Sequence, residues 1–243
     1  MRLPTIHLSR RTLAAALAPL LTTLQLGAPP AQAFNNAIPE FRDEARDPSV
    51  KKTPGPPPAK SLAEMGPRPL DGALKPCLDG KPHCFSSSTM TGDKMVDTSK
   101  IGTGWIVKPW SYSGMYVVAA IGMIREAVDA YPPGQGGIDE GGFKVLATRL
   151  PTDADGVGYV YVQFESGSRG YIDDMEFSAK GGIVNVRTTS RLGYLDLGVN
   201  AKRYNWFAKR LGAKKGWTTS PIRAKEHLDY FAQNELTDND VGL

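Results

Sequence analysis

Between Tyr171 and Leu211 the hydrophobic pattern of the chain changes period. From Ile172 to Lys180, and again from Ile183 to Arg191, apolar and polar side chains alternate. From Val199 the apolar positions recur every three or four residues. The first pattern predicts two strands and the second an amphipathic helix. Gly181-Gly182 between the strands is a two-residue hairpin signal, and it sets the register. Lys180 faces Ile183, Glu176 faces Arg187, Asp174 faces Thr189 and Ile172 faces Arg191. Side chains on a strand alternate faces, so one face carries Met175, Phe177, Ala179, Val184 and Val186. The other carries Asp174, Glu176, Asn185, Arg187, Thr189 and Arg191. A cross-strand Glu–Arg pair contributes only about 0.2–1 kcal/mol, so the apolar face must be what holds the hairpin down.

Gly193 and Gly198 punctuate a turn after the hairpin. The helix then runs from about Val199 to Leu211, with Val199, Arg203, Trp206/Phe207 and Arg210/Leu211 along one stripe and Gly212 as its stop. Upstream, the spacing of Val118, Ile121, Ile124 or Arg125, and Val128 predicts a helix from about Ser113 to Tyr131, closed by Pro132-Pro133. Strands follow at Phe143 to Leu150 and Tyr159 to Ser166. Ser220-Pro221 reads as an N-cap and first turn of a third helix to Gln233, and the last ten residues read as a loose acidic tail.

The expected fold is α+β: a single domain with an antiparallel sheet of about four strands and helices packed on one face. The opposite face is then open. It gathers Tyr159, Tyr161, Gln163, Glu165, Asp174, Glu176, Arg187 and Arg191 and is the leading candidate site. Trp105 and Trp110 read as core aromatics or as the wall of a ligand groove.

Residues 1–33 have the form of an export signal: Arg10-Arg11, an apolar run from about Leu13 to Leu26, and Ala31-Gln32-Ala33 as a small-residue cleavage site before Phe34. The paired arginines suggest the twin-arginine route. The run is shorter than the roughly 20 residues a membrane span needs, so no span is expected in the mature protein. Residues 34–75 form a proline-rich extended arm, 76–217 the α+β domain, and 218–243 the C-terminal helix and tail. The signal holds three of the chain's 29 basic residues and none of its 25 acidic ones, which leaves a mature net charge of +1. That balance argues against nucleic acid as a partner. Lys202, Arg203, Lys209, Arg210, Lys214 and Lys215 still make the second helix basic, either as a solvated face or as a docking surface for an acidic partner or anionic lipid headgroups.

Cys77 and Cys84 are the only cysteines. In an oxidising compartment pairing is the default. A metal site on Cys77, His83 and Cys84 lacks a fourth ligand and fits no zinc or haem spacing, and free thiols are the remaining alternative. No metal or cofactor is expected. The chain has no nucleophile elbow of the G-x-S-x-G kind, and acid–base work by Asp173, Asp174 or Glu176 would place a carboxylate beside Arg187 or Arg191. A neighbouring cation lowers a carboxyl pKa, which suits a structural pair better than a general acid. No catalytic residue is assigned.

Cys77 with six residues to Cys84, then Ser86-Ser87, Asp173-Asp174-Met175-Glu176-Phe177, Arg187-Thr188-Thr189-Ser190-Arg191-Leu192-Gly193-Tyr194 and Asp196-Leu197-Gly198-Val199-Asn200-Ala201-Lys202-Arg203 together resemble domain-of-unknown-function family 1499. The resemblance covers about Pro76 to Gly212. It implies no established activity, and members in bacteria and in plastids. Pro82-His83 stands where the family has proline-asparagine. The start at Phe34, Ala-Phe-Asn-Asn-Ala-Ile-Pro-Glu with the preceding alanine, resembles mature termini of algal thylakoid lumen proteins. The expected location is therefore the chloroplast thylakoid lumen, with the bacterial periplasm as the alternative. The expected role is a non-catalytic accessory or assembly factor of a thylakoid membrane complex in photosynthesis. The alternative is a binding protein for a small amphipathic ligand, a lipid or pigment, on the open sheet face with Tyr159, Tyr161, Trp105 and Trp110. An enzyme using Asp or Glu beside Arg is the third. Candidate binding residues are Tyr159, Tyr161, Glu165, Asp174, Glu176, Arg187, Arg191, Lys202 and Arg203.

Overall fold

The computed structural model describes residues 33–53, 55, 65–77, 82–91, 94–95 and 105–243. Most of the stretch read as an export signal and the centre of the proline-rich stretch lie outside these residues. The fold is α+β and antiparallel, as the alternation implies. Strands β1 (Cys84–Ser86), β2 (Met90–Thr91), β3 (Lys94–Met95) and β4 (Trp110–Tyr112) come first, followed by helix α1 (Val117–Asp129). Next come β5 (Gly142–Arg149), β6 (Gly158–Glu165), β7 (Ile172–Lys180) and β8 (Ile183–Ser190). Helix α2 (Val199–Gly212), the short strand β9 (Trp217–Thr218) and helix α3 (Leu228–Gln233) complete the order.

The main sheet has seven strands, not four. Its centre is the expected meander β5-β6-β7-β8, and the hairpin register is the one set by Gly181-Gly182: Lys180 opposite Ile183, Glu176 opposite Arg187 and Asp174 opposite Thr189. The additional strands are short. β1 takes the Arg187–Thr189 half of the outer edge of β8. β4 takes the Ile183–Val184 half and then pairs with β9. Strands of two or three residues have no room to display an alternation, so the pattern could not announce them.

The apolar face carries the core. Val160, Val162, Phe164, Met175, Phe177, Val184 and Val186 meet Ile121, Ile124, Ala127 and Val128 of α1 and Tyr204, Phe207, Ala208 and Leu211 of α2. Trp110 is fully buried there against Phe177 and Tyr204. Trp105 joins Phe85 and Tyr230, so both tryptophans belong to the core. Helix α1 comes close to the sheet at Gly158, where an added Cβ would lie 2.3 Å from Ile121 Cγ1. That atom sits next to the branch of its side chain and cannot swing away. Gly158→Ala should therefore lower stability by about 1–3 kcal/mol through overpacking, read as an earlier denaturation midpoint, and it should cost less when introduced into a chain that already carries Ile121→Ala.

Two segments depart from expectation. The third helix begins at Leu228 rather than Pro221. Asn205 explains this: its amide accepts from the Ile222 N–H at 2.7 Å and donates to the Ile222 carbonyl at 3.0 Å. A side-chain amide that mimics a strand neighbour holds Ile222 extended across α2. The tail is docked rather than loose. Val241 is fully buried, its carbonyl also accepts from Asn205, and Asp238 caps the Ala224 N–H at 2.7 Å.

The larger correction concerns the second face of the sheet, which is covered. The arm crosses it. Asn36 Oδ1 accepts from the Phe143 N–H at 2.8 Å, Gly66 N–H donates to Glu176 Oε1 at 2.7 Å, Lys180 Nζ reaches the Leu70 carbonyl at 2.7 Å, and Asn185 Nδ2 reaches the Gly72 carbonyl at 3.1 Å. Leu74 packs on Tyr159 and Tyr161, with Met65 and Ala147 around them. The molecule is a helix layer, a sheet and an arm. The arm's end is fixed by the Cys77–Cys84 disulfide.

Candidate functional site

On the arm-covered face Asp174 and Glu176 of β7 each bond a tyrosine of β6 and an arginine of β8; only Glu176–Arg187 is a directly opposed pair, and the other contacts run diagonally, two residues along the neighbouring strand. Glu176 Oε1 accepts from Tyr159 Oη at 2.7 Å, and Glu176 Oε2 accepts from Arg187 Nη1 at 3.2 Å. Asp174 accepts from Tyr161 Oη at 2.6 Å and takes two bonds from Arg191, both 2.7 Å. Glu165 is held by Lys52 and more distantly by Arg46, both from the arm. Burial pushes the Tyr159 and Tyr161 hydroxyls up, and the adjacent carboxylates push them further. For Glu165 burial raises the carboxyl pKa and outweighs Lys52 and Arg46, which lower it. For Arg191 burial pulls the guanidinium down, but Asp174 more than compensates. All of these groups are buried or half-buried. The residues expected to bind a ligand on an open sheet are therefore brought together but consumed in pairs that tie strand to strand and arm to sheet. They are joinery.

The basic helix also divides. Lys209 and Arg210 point outward, and Lys202 is half-buried at the surface with its ammonium near the Gly136 carbonyl. Arg203 is completely buried. Its Nε and Nη2 grip Asp139 at 2.9 and 2.5 Å, and Nη2 also reaches Asp173 at 2.8 Å. Its Nη1 donates to Asn200 Oδ1 at 3.1 Å, and its guanidinium lies 4.5 Å above the Phe164 ring. Burial pulls Arg203 down, yet Asp139 and Asp173 hold it well above the usual arginine range. Asp173 lies on the core side of β7, and burial raises its carboxyl pKa despite Arg203.

Above this buried cluster, at the end of β7 and β8, the structure opens into a cavity of about 350 Å³. Asp173 and Ser190 come from the strands, Ser166 and Tyr171 from the β6–β7 turn, Gly137 to Glu140 from the segment before β5, and Thr53 from the arm. The roof is the loop Leu192–Leu197. The loop is anchored by Asp196, which accepts from the Gly198 and Asn200 N–H groups at 3.1 and 3.0 Å and from Tyr230 Oη at 2.9 Å. Asn200 ties it inward by donating to the His83 carbonyl, to Ser190 Oγ and to Asp196 at 3.0, 2.9 and 2.8 Å.

Two non-glycine residues in the wall hold left-handed backbones, Asp139 at φ 57° and Leu197 at φ 53°. For a leucine this costs about 1 kcal/mol or more. Aspartate visits the region more readily, but Leu197 is kept there by the anchors on either side, and its side chain is 67% exposed. Tyr194 is 59% exposed, and Leu192 and Leu195 are also exposed. An apolar loop anchored through Asp196, over a cavity of ligand size, is the arrangement among the described residues most suited to binding.

The expected site residues therefore missed this cavity. The signal for it was a density of leucines between two breaking glycines around a single Asp196, in a segment that reads at first as a turn.

A family model described as a protein of unknown function (DUF1499) matches residues 73–211, more than half of the chain. No curated protein and no solved structure matches it.

Proposed function

Since the chain belongs to the DUF1499 family, whose description carries no activity, we propose from its geometry that it is a non-catalytic binding protein that holds a small amphipathic ligand, a lipid or a pigment, in the cavity beneath Leu192–Leu197. The observation that carries this reading is the cavity itself. It is about 350 Å³ and is lined by Ile138, Leu192, Leu195, Leu197 and Val199 beside polar residues such as Thr53, Ser166, Asp173 and Ser190, a mixed lining that suits an amphipathic ligand. The sheet-face residues support it from the other side, because Glu165, Asp174 and Glu176 are each tied to a cation. The export-signal pattern and the resemblance of the Phe34 terminus support a location in the thylakoid lumen of a photosynthetic organism, with the bacterial periplasm as the rival location. Protein isolated from its native source, extracted with organic solvent and analysed by mass spectrometry, should yield one lipid or pigment per chain. A clean extract from folded protein would sink the proposal.

A second reading, an accessory or assembly factor of a thylakoid membrane complex, draws on the outward side of the same loop. Tyr194 and Leu197 stand in solvent, and apolar clusters of this kind mark partner surfaces. No helix among the described residues is long and apolar enough to cross a membrane, so association would be peripheral. This reading predicts comigration with a membrane complex on native gels after gentle solubilisation. Migration only as free chain would count against it.

A further inference from the structure

We infer that the ligand enters this cavity when a strap of the arm, residues 42–53, lifts from the sheet, and that the Lys52–Glu165 ion pair is the latch that holds the strap shut. This rests on the proposal that the cavity binds an amphipathic ligand, and it adds the route in.

A cavity opens where its wall is easiest to move, and the walls here are held unequally. The floor belongs to strands β7 and β8. The segment before β5 is pinned from below: Arg203 grips Asp139, Tyr131 Oη donates to Asp139 Oδ2 at 2.6 Å, and Ile138 is buried. The roof is exposed but tied down. Besides the bonds to Asp196, the Leu197 N–H donates to Asn234 Oδ1 at 2.9 Å.

The strap is held differently. None of residues 42–53 is buried, so lifting them returns little apolar surface to water, the condition for cheap local opening. Thr53 is the arm's share of the lining, and its N–H donates to the Arg169 carbonyl at 2.5 Å. Beside it Lys52 pairs with Glu165, with only 10% and 2% of the two side chains exposed. The Lys52 stem runs over Gly170, where an added Cβ would lie 2.3 Å from Lys52 Cε. Arg46 adds a looser hold, its Nη2 lying 3.9 Å from Glu165 Oε1 and 3.5 Å from the Gly167 carbonyl. An enclosed ion pair contributes little beyond its own desolvation penalty while both charges are present, yet losing one partner leaves the other stranded. Such a pair can open to water and close again, and it fails when either half is removed. The chain on both sides is seated, Phe41 against Gly167 and Gly55 against Ile172. The strap is thus a short span between fixed ends. Lifting Thr53 uncovers the flank of the cavity formed by Ser166 and Tyr171.

The test uses the purified chain starting at Phe34 and N-phenyl-1-naphthylamine, a neutral amphipathic fluorophore, in stopped-flow mixing. Amide exchange is followed by NMR on the same samples, with the Thr53 N–H reporting the strap and the Leu197 N–H the roof. In wild type Thr53 should exchange at least about tenfold faster than Leu197. Lys52→Met keeps the stem and removes the charge. It should speed Thr53 exchange about tenfold, leave Leu197 unchanged, and raise probe association and release together by about tenfold, with affinity kept within about twofold. Glu165→Gln should do the same from the sheet side and guards against a defect peculiar to the first variant. Asn234→Ala, which frees the Leu197 anchor, should leave the probe rates at the wild-type value. A faster probe in Asn234→Ala but not in Lys52→Met would make the roof the gate and overturn the inference. Unchanged exchange or unchanged rates in both latch variants, with the probe still binding, would overturn it too and leave the ligand reading standing. No binding of the probe to the folded wild-type chain would overturn both.

Discussion

Arg203→Met is expected to destabilise the protein by about 3–5 kcal/mol at neutral pH, the usual cost of stripping one partner from a buried ion pair. Arg203 is wholly enclosed and answers two carboxylates, Asp139 and Asp173. Methionine fills much of its volume, so the loss measures charge rather than a hole. The triple change Arg203→Met, Asp139→Asn, Asp173→Asn removes all the charges together and should recover most of the stability, because the network repays its own desolvation more than it adds. The pH dependence has a definite sign. Asp173 has a folded pKa above its unfolded value, so the folded state takes up its proton first. Charging it costs stability as pH rises through the folded value, and the cost is relieved as pH falls toward the ordinary carboxyl range. Without Arg203 that relief must grow, so the gap between Arg203→Met and wild type should narrow in acid. Urea midpoints at several pH values test both points. A loss below about 1 kcal/mol at neutral pH would mean the carboxylates find other compensation.

The second large effect concerns Cys77 and Cys84. They are seven positions apart in sequence, and opening so short a loop costs about 2.5 kcal/mol in the chain-entropy account. Position makes the bond count for more than its loop length. Cys77 ends the arm and Cys84 begins β1, whose other side is the Arg187–Thr189 half of β8. The double variant Cys77→Ala, Cys84→Ala should therefore lose stability and also expose the arm, with limited proteolysis cutting between residues 65 and 77 at protease levels that leave wild type whole. Reductant should bring wild type to the level of the variant and leave the variant unmoved. Equal stability of the two under oxidising conditions would contradict the prediction.

The hairpin was fully legible. Two glycines and a period of two gave the register, the core face and the charged face, and the structure keeps all three. What the charged face was for could not be read locally. Its cover comes from residues more than a hundred positions away, such as Gly66 over Glu176, and alternation within a strand carries no information about such a partner. Asp173 and Arg203 are a different case, since the pattern did contain them. Asp173 has the same parity as Met175 and Phe177, and Arg203 lies on the stripe of Val199 and Phe207. A charge on the core side of a strand and an opposite charge on the core side of the following helix signal a buried pair. Counting Arg203 with the surface cations hid it. The short strands β1, β4 and β9 and the extended run at Ile222 depend on tertiary partners, Asn205 among them, and no window of sequence displays those.

The arm also sets an order of events. Its bonds from Asn36 to Phe143 and from Gly66 to Glu176 span 107 and 110 residues. Contacts so remote are closed late, because loop entropy must be met before they return anything. The segment that leaves the ribosome ahead of the sheet is thus among the last to settle on it. Until β5 to β8 have assembled, the chain around Phe34 has nothing to lie on and stays accessible to any machinery that handles its N-terminal side. In this architecture the N-terminal segment is secured only once the sheet it lies on is complete.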